Sequence, residues 1–283
     1  MSGFLHRHPR LRLGALLTPP MLWLGVAYLG ALAALFITAL WSVNDFTGQV
    51  QRTWTLDNFR DLFQVDVYRA VTLRTLGVAA AVTVMDAVVA FPIALYMAKV
   101  ASPRLQKVMV IAVLTPLWAS YLVKAYAWRA MFSSTGPIAW AAHPFGLDTP
   151  GYGLPATVVT LAYLWLPYMI LPLYAGLERL PDSLLEASAD LGAGPLLTIR
   201  RVVLPVLFPA VVAGSIFTFS RTMGDYIAVK IVGGTTQMLG NVVYDTFLTA
   251  NNLPLAAAVS TIPVVVMLVY LAAVRRTGAL ENL

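Results

Sequence analysis

Three aspartates, Asp86, Asp225 and Asp245, lie in or beside strongly apolar stretches of the sequence. A carboxylate in such surroundings is costly unless it faces water or a partner, so each of them could carry a proton or bind a cation. Tyr226 directly follows Asp225. A carboxylate beside a ring suits an alkylammonium ion, because cation–π attraction contributes about 0.5–2 kcal/mol per ring. These residue types predict part of the path by which a small cation would cross the membrane, called the route below.

Other aromatic residues could add rings to this route, above all Trp165 and Tyr168. Trp128 fits the aromatic belt at a membrane surface better than it fits a route. Lys124 and Arg129 would repel a cation if they faced it. The route is therefore predicted from residue types, and its members are Asp86, Asp225, Tyr226, Trp165, Tyr168 and Asp245.

Two of these aspartates also have a structural interpretation. Asp86 could pair with a basic or hydroxyl group on a neighbouring helix, and we give this interpretation the same weight as a place on the route. Asp225 could be a structural carboxylate that caps a helix or pairs with another group near the end of its own span. Replacing Asp225 by asparagine would separate the two roles, because asparagine keeps the volume and removes the charge.

Several kinds of chemistry are absent from the sequence. It has no cysteine, and its histidines, His6, His8 and His143, form no HExxH motif, so neither a thiolate site nor a zinc protease is predicted. No lysine follows a glycine, which excludes the phosphate-binding loop of ATPases. Gly214 and Ser215 are typical of close helix packing rather than of a catalytic serine. We predict no metal, no cofactor and no enzymatic activity in this chain.

The composition places these residues in a membrane protein. Apolar residues make up 59% of the 283 residues and charged residues only 11%, against roughly 25% charged in soluble domains. A net charge of +6 comes without a Lys/Arg-rich run, so nucleic acid is not predicted. The hydropathy predicts an all-α protein with about six transmembrane helices, at residues 14–43, 70–98, 107–132, 154–177, 203–225 and 254–274.

The distribution of basic residues predicts the orientation, because Lys and Arg near span ends favour the cytoplasm. Both termini are expected there, and the loop 133–153 is expected outside. Eleven of the nineteen basic residues fall on the cytoplasmic side in this arrangement: Arg7, Arg10, Arg12, Lys99, Arg104, Lys107, Arg179, Arg200, Arg201, Arg275 and Arg276.

The cytoplasmic segment 178–202 contains signals for a short helix of its own. Pro181 and Asp182 suit a helix start, and Gly192 suits a stop, where a larger side chain is expected to fill the turn. Asp182, Glu186 and Asp190 are spaced four apart, so they share one acidic face. This face is either a solvated connector or a docking surface for a cytoplasmic partner of positive charge.

The same segment resembles the EAA signature of the permeases of binding-protein-dependent ABC importers. Glu186, Ala187 and Ser188 are followed after three residues by Gly192, and after nine more by the stretch Val202–Pro205. Ser188 stands where the signature has a second alanine, and Val202 where it has isoleucine. The stretches 122–129, 171–188, 223–226 and 237–247 are similar to those of spermidine and putrescine importer permeases.

This resemblance implies a type I importer permease with a cytoplasmic coupling helix that docks on an ATPase subunit. The residues it assigns to ATPase coupling are Glu186, Ala187, Ser188, Asp190, Gly192, Leu204 and Pro205. ATP and magnesium would be bound by a partner ATPase dimer. A second related permease, or a second copy, and an external solute-binding protein would complete the complex in a bacterial inner membrane.

We therefore expect one transmembrane permease domain, 14–275, with the EAA loop at 178–205 and cytoplasmic tails at 1–13 and 276–283. The predicted function is ATP-driven import of a small polar solute, with polyamines as the best candidates. The alternative is an ion-coupled secondary transporter of a small cation, using the embedded aspartates. No internal repeat supports that alternative.

Overall fold

The computed structural model describes residues 9–44, 46–146 and 149–275, and their regular secondary structure is helical apart from one short antiparallel hairpin. The hairpin pairs β1 (Ser42–Val43) with β2 (Val50–Gln51). The α-helices are, in chain order, α1 (Pro9–Ala39), α2 (Asp57–Gln64), α3 (Asp66–Leu95), α4 (Pro103–Trp118), α5 (Tyr121–Met131), α6 (Pro137–Ala142), α7 (Leu154–Arg179), α8 (Asp182–Asp190), α9 (Pro195–Thr198), α10 (Leu204–Gly224), α11 (Ile227–Val232), α12 (Leu239–Leu248) and α13 (Leu253–Arg275).

Wider helical turns extend two of these helices. The segment Tyr96–Val100 continues α3, and Ile199–Val203 joins α9 to α10. Five helical stretches are then long and apolar enough to cross a membrane: Leu16–Ala39, Asp66–Val100, Leu154–Arg179, Pro195–Gly224 and Leu253–Arg275. The pair α4 and α5 makes a sixth if it counts as one broken span, which confirms the predicted all-α class with about six spans.

The first predicted span, 14–43, ends too late. Helix α1 stops at Ala39, because the chain turns there into the hairpin. The amide of Asn58 donates to the carbonyl oxygens of Ala39 at 2.9 Å and of Trp41 at 2.7 Å. These bonds satisfy carbonyl groups that a helix end leaves without a partner.

The third predicted span, 107–132, is not one helix. Helices α4 and α5 meet at a bend of 96°, with Ala119 and Ser120 in extended conformations between them. Pro116 lies in the last turn of α4, where it lacks the backbone N–H that would continue the ladder. The Lys124 ammonium donates to the carbonyl of Pro116 at 2.9 Å, which satisfies one carbonyl at the broken end.

The fifth predicted span, 203–225, begins too late. Helical structure starts at Pro195 and continues through Ile199–Val203 into α10, so the cytoplasmic loop is shorter than 178–202. The start at Pro195 follows from its fixed φ angle and missing N–H, both of which suit the first turn of a helix.

The described residues form two compact units. One comprises those of 1–65 and 245–261, and the other those of 66–244 and 262–283. In the second unit α3, α7 and α10 pack against one another. A Cβ atom on Gly214 would lie 2.6 Å from the Met169 sulfur, so this glycine permits close helix packing, as predicted.

Some sequence predictions fall outside the described residues. These are the basic residues Arg7 and Arg276, the histidines His6 and His8, the C-terminal tail 276–283, and residues 1–8 of the N-terminal tail.

Candidate functional site

The segment predicted to couple to an ATPase forms a separate short helix, α8. The chain leaves α7 through Leu180 and Pro181, both with extended backbone angles, and α8 starts at Asp182. The Lys99 ammonium, from the turn that ends the α3 span, donates to Asp182 Oδ1 and to the Leu180 carbonyl, each at 2.7 Å. Lys99 therefore ties the start of α8 to the end of a membrane span.

Helix α8 ends at a glycine in the left-handed region. Gly192 has φ +78°, and its N–H donates to the Ala189 carbonyl at 2.8 Å. No atom lies within 4 Å of a Cβ built at Gly192. The prediction that a larger side chain would fill this turn is therefore wrong: the backbone conformation, and not a lack of space, favours glycine here.

Ser188 has a role that the signature comparison did not suggest. It is buried, and its hydroxyl lies 2.8 Å from the hydroxyl of Thr198 in α9. This hydrogen bond links α8 to the start of the following span. Alanine at this position could not make it.

The rest of the loop presents an exposed face. Glu186, Ala187 and Asp190 are exposed, as are Leu204 and Pro205 at the start of α10. Leu191 is 88% exposed, so apolar surface adjoins the carboxylates. Neither the Glu186 nor the Asp190 carboxylate has a hydrogen bond or ion pair with another residue that the structure describes.

The second predicted region centres on Asp225, between α10 and α11. Asp225 is 7% exposed, and both of its carboxylate oxygens have donors. Oδ1 accepts from the backbone N–H of Ala228 at 3.0 Å, and Oδ2 accepts from the hydroxyl of Tyr121. Asp225 thus stabilises the first turn of α11 and ties it to α5.

The start of α12 holds this segment in place. Asn241 donates from Nδ2 to the Tyr226 carbonyl at 3.0 Å, and Leu239 N–H donates to the Thr75 hydroxyl at 2.9 Å. A Cβ atom on Gly240 would lie 3.0 Å from the Asp225 carbonyl oxygen, so only glycine allows this approach without a shift. The stretches 223–226 and 237–247, noted separately in the sequence, therefore meet in the fold.

Asp86 differs from Asp225 in having an oxygen without a donor. It is 1% exposed within α3, and its Oδ2 atom is buried with no hydrogen-bond partner among the described residues. Other buried polar atoms without partners lie on α7 and α10, the helices that pack against α3: Thr160 Oγ1, Trp165 Nε1, Thr218 Oγ1 and Thr222 Oγ1. An interior with such atoms suits water or a polar solute.

An aromatic row runs from Tyr121 through the buried Trp165 and the half-buried Tyr168 to the exposed Phe217. Ring centroids are 6.0 Å apart between Tyr121 and Trp165, 5.9 Å between Trp165 and Tyr168, and 6.3 Å between Tyr168 and Phe217. The Arg221 guanidinium carbon lies 5.6 Å from the Trp165 ring centroid and 5.4 Å from that of Tyr168. The Trp165 and Tyr168 rings, which the sequence predicted to bind a cation, already contact a cationic side chain of the protein itself.

The other predicted residues lie outside this row. Tyr226 stacks on Tyr244 at 4.8 Å, and the Lys230 ammonium lies 4.3 Å from the Tyr244 ring centroid. Asp245 is half-buried in α12 and belongs to the other compact unit. Among the described residues no group of three or more histidine, aspartate or glutamate side chains could hold a metal ion.

The basic residues expected to oppose a cation are engaged with the backbone. Lys124 binds the Pro116 carbonyl, as described above. Arg129 donates to the Ile231 carbonyl, and its guanidinium carbon lies 4.8 Å from the Tyr152 ring centroid. Both therefore stabilise the ends of broken or short helices.

Sequence reasoning missed Tyr121, Arg221 and Lys99 as functional candidates. Arg221 and Lys99 had a visible signal, since each is a charged residue inside or at the end of an apolar run. Tyr121 had none, because its partner Asp225 lies 104 positions away in the chain.

Comparison with known proteins identifies the family. Residues 90–277 match the model of the binding-protein-dependent transport system inner membrane component family, which is more than half of the chain. This chain belongs to that family. Membership excludes the secondary transporter that the embedded aspartates left open.

Relatives match the permease over most of its length. It is 43% identical to the inner membrane ABC transporter permease protein YdcU of Escherichia coli K12, over 100% of this chain and 95% of the relative. It is 31% identical to the spermidine/putrescine transport system permease protein PotB of the same strain, over 82% of this chain and 86% of PotB. These relatives are transporter permeases and not enzymes.

Solved structures share the fold of the permease. A chain of a bacterial alginate ABC transporter, in complex with an alginate-bound periplasmic protein, matches with a TM-score of 0.71 at 17% identity, over 94% of this chain and 92% of that one. The MetNI methionine ABC transporter matches with a TM-score of 0.56 at 20% identity, over 75% and 94%. The permease therefore has the type I ABC importer fold and lies in the inner membrane.

Proposed function

We propose that this permease carries a small cationic solute, with spermidine and putrescine as the best candidates, into the cytoplasm of a bacterial cell. The buried interior of α3, α7 and α10 carries the proposal. It holds an aspartate with a free oxygen, hydroxyl groups without partners, and a row of rings that already binds a guanidinium group.

Energy would come from ATP hydrolysis on a separate ATPase dimer that also binds magnesium. A second related permease, or a second copy of this chain, would complete the channel, and an external solute-binding protein would deliver the solute. The family description itself names dependence on a binding protein, which supports that partner.

The exposed face of the segment 178–205 is the proposed contact with the ATPase. Glu186 and Asp190 are exposed carboxylates without partners among the described residues, and Leu191 places apolar surface beside them. Such a face suits a groove lined by basic and apolar side chains. The hydrogen bonds from Lys99 to Asp182 and Leu180 would transmit a displacement of α8 to the span that contains α3.

The proposed orientation keeps both termini in the cytoplasm and the loop 133–153 outside. The excess of lysine and arginine at span ends on one side supports it. In this orientation α8 faces the cytoplasm, where a soluble ATPase can reach it.

The choice of polyamines as the solute rests on the similarity to spermidine/putrescine permeases and on the aromatic rings of Trp165 and Tyr168. Cation–π attraction and a buried carboxylate favour alkylammonium groups over neutral solutes. Of the two carboxylates, Asp86 has the oxygen without a donor, whereas both oxygens of Asp225 are engaged. Asp86 is therefore the first candidate to face a cation, ahead of Asp225.

The test is solute uptake and ATPase activity, measured together in vesicles that contain the whole transporter and a loaded binding protein. Labelled spermidine and putrescine should be taken up, and Asp86→Asn should reduce uptake at least tenfold while the basal ATPase activity remains. A difference of about 1.4 kcal/mol in barrier height is enough for that factor.

Asp61→Asn is the matched control, because Asp61 is exposed and lies in α2, which belongs to the other compact unit. Unchanged uptake by Asp86→Asn would show that this aspartate is structural. Failure of the wild-type vesicles to take up either polyamine, with another solute transported instead, would refute the proposed substrate class.

A further inference from the structure

Arg221 is an unusual arginine, and its environment concerns the cation site directly. It lies in the last turn of α10, at the end of an apolar stretch that can cross a membrane. A charged group at such a place normally pairs with a carboxylate or a backbone carbonyl. Within the described part of the chain, Arg221 has no ion pair and no side-chain hydrogen bond.

What the guanidinium group does contact is two ring faces. Its carbon lies 5.6 Å from the Trp165 centroid and 5.4 Å from the Tyr168 centroid, both within the range of cation–π attraction. Trp165 is only 8% exposed, whereas Arg221 itself is exposed. The arginine thus lies on the accessible side of a ring that is otherwise buried.

A mobile cation that used these rings would need the place where the guanidinium group lies. Two cations cannot share the same ring faces, because they exclude each other in space and repel each other across a low dielectric. An arginine without a carboxylate partner is also held more weakly than one in an ion pair, so it can leave.

From these contacts we propose that Arg221 is a tethered occupant of the cation site formed by Trp165 and Tyr168. Its guanidinium group fills the site while no solute is bound, and an arriving cationic solute must displace it. Arg221 is then a specificity-determining residue, because a solute that binds the rings more weakly than a guanidinium group cannot enter. This inference rests on the proposed function in so far as the displacing solute is a cation.

The first test removes the occupant and measures affinity. In vesicles with the whole transporter, Arg221→Gln should lower the spermidine concentration for half-maximal uptake roughly three- to tenfold, because the competing occupied state is lost. Arg221→Lys keeps a cation within reach and should stay near wild type. Arg60→Gln, the loss of an exposed arginine in α2, should change nothing.

The second test detects the empty site without any transport. Tryptophan emission of the purified transporter is recorded while guanidinium chloride is added at millimolar concentration. Arg221→Gln should show a saturable change, because free guanidinium takes the place of the lost side chain. The wild type and the double variant Arg221→Gln, Trp165→Phe should show none.

The outcomes separate this inference from the proposed substrate. If polyamines are not transported but the emission change appears only in Arg221→Gln, the tethered occupant stands and the substrate proposal fails. Loss of spermidine uptake in Arg221→Gln at normal membrane abundance would overturn the inference, since it would mean that transport requires Arg221 instead of being opposed by it. An emission change of equal size in the wild type would overturn it as well.

Discussion

The loop around α8 and the interior around Trp165 differ in how their charged groups are satisfied. In the loop, the Glu186 and Asp190 carboxylates are exposed and have no partner within the described residues. In the interior, the buried Asp225 has a donor on each oxygen, and at its exposed edge Arg221 lies against two rings. An exposed charge without a partner costs little and is available to another protein, whereas a buried one must be compensated within the chain.

This difference predicts two classes of variant. Changes on the exposed face of the loop should reduce coupling while the chain stays folded, and changes at the close helix contacts around the interior should first reduce stability.

Reversing the charge of Glu186 should have the largest effect. Glu186→Lys places a cation against a basic groove, and a like-charge contact at an interface costs several kcal/mol. Uptake in vesicles should fall by at least about tenfold, since each 1.4 kcal/mol is a factor of ten. The amount of permease in the membrane should not change.

Asp61→Lys makes the same charge change on the exposed surface of α2 and serves as the control. It should leave uptake unchanged. Near-normal uptake by Glu186→Lys would remove the loop from the coupling mechanism.

Filling the contact at Gly214 should lower stability. A Cβ there would lie 2.6 Å from the Met169 sulfur and 3.2 Å from the Met169 Cα. Gly214→Ala must push α7 and α10 apart, at a cost of about 1–3 kcal/mol. The thermal unfolding midpoint of the purified permease should fall.

Gly77→Ala, in α3, is the control, because no atom lies within 4 Å of a Cβ at Gly77. Its midpoint should stay the same or rise, since alanine favours helix more than glycine does. If both variants melted alike, close packing at Gly214 would not contribute to stability.

A substitution at Gly192, where α8 ends, should have a smaller effect on uptake. It tests backbone strain alone, because the added methyl group meets no neighbouring atom. Gly192→Ala forces an L-residue into the left-handed region, at a cost of about 1–2 kcal/mol. Backbone amides of residues 182–198 should exchange hydrogen faster, and uptake should fall a few-fold.

Gly194→Ala is two residues away, at φ −70°, and also has open space around its Cβ. It should behave as the wild type in both measurements. Equal effects from the two variants would mean that the loop responds to side-chain bulk instead of backbone conformation.

Loss of the ion pair between Lys99 and Asp182 should have the smallest effect on transport. The Asp182 side chain is 75% exposed, so the ion pair contributes about 0.2–1 kcal/mol. A double-mutant cycle with Lys99→Met and Asp182→Asn, read as uptake per ATP hydrolysed, should give a coupling energy in that range. Strictly additive effects would show that the ion pair does not position α8.

The sequence predicted the loop better than the interior, because the loop is built from local signals. Pro181 and Asp182 mark the start of α8 and Gly192 its end, within a dozen residues of each other. Its position could therefore be read before any fold was known. The reason for Gly192, a left-handed backbone, needed the structure.

The interior depends on contacts between residues far apart in the chain. Nothing near Tyr121 indicates that it meets Asp225, and nothing near Arg221 indicates the rings of Trp165 and Tyr168. The break at Ala119 and Ser120 was missed for a related reason: the surrounding residues are apolar on both sides, so hydropathy runs through it. Helix class and approximate spans followed from composition, whereas the partners of the charged residues did not.

The proposed contact between the exposed face of α8 and the ATPase on the cytoplasmic side can be tested directly by cross-linking. The chain has no cysteine, so single thiols can be introduced cleanly at exposed positions, Ala187→Cys on α8 and Ser134→Cys in the loop 133–153. A thiol-to-amine cross-linker is then applied to the assembled transporter. The proposed contact predicts a cross-link to the ATPase subunit from position 187 and none from position 134. A cross-link from position 134, or none from 187 in a transporter that still takes up solute, would contradict it.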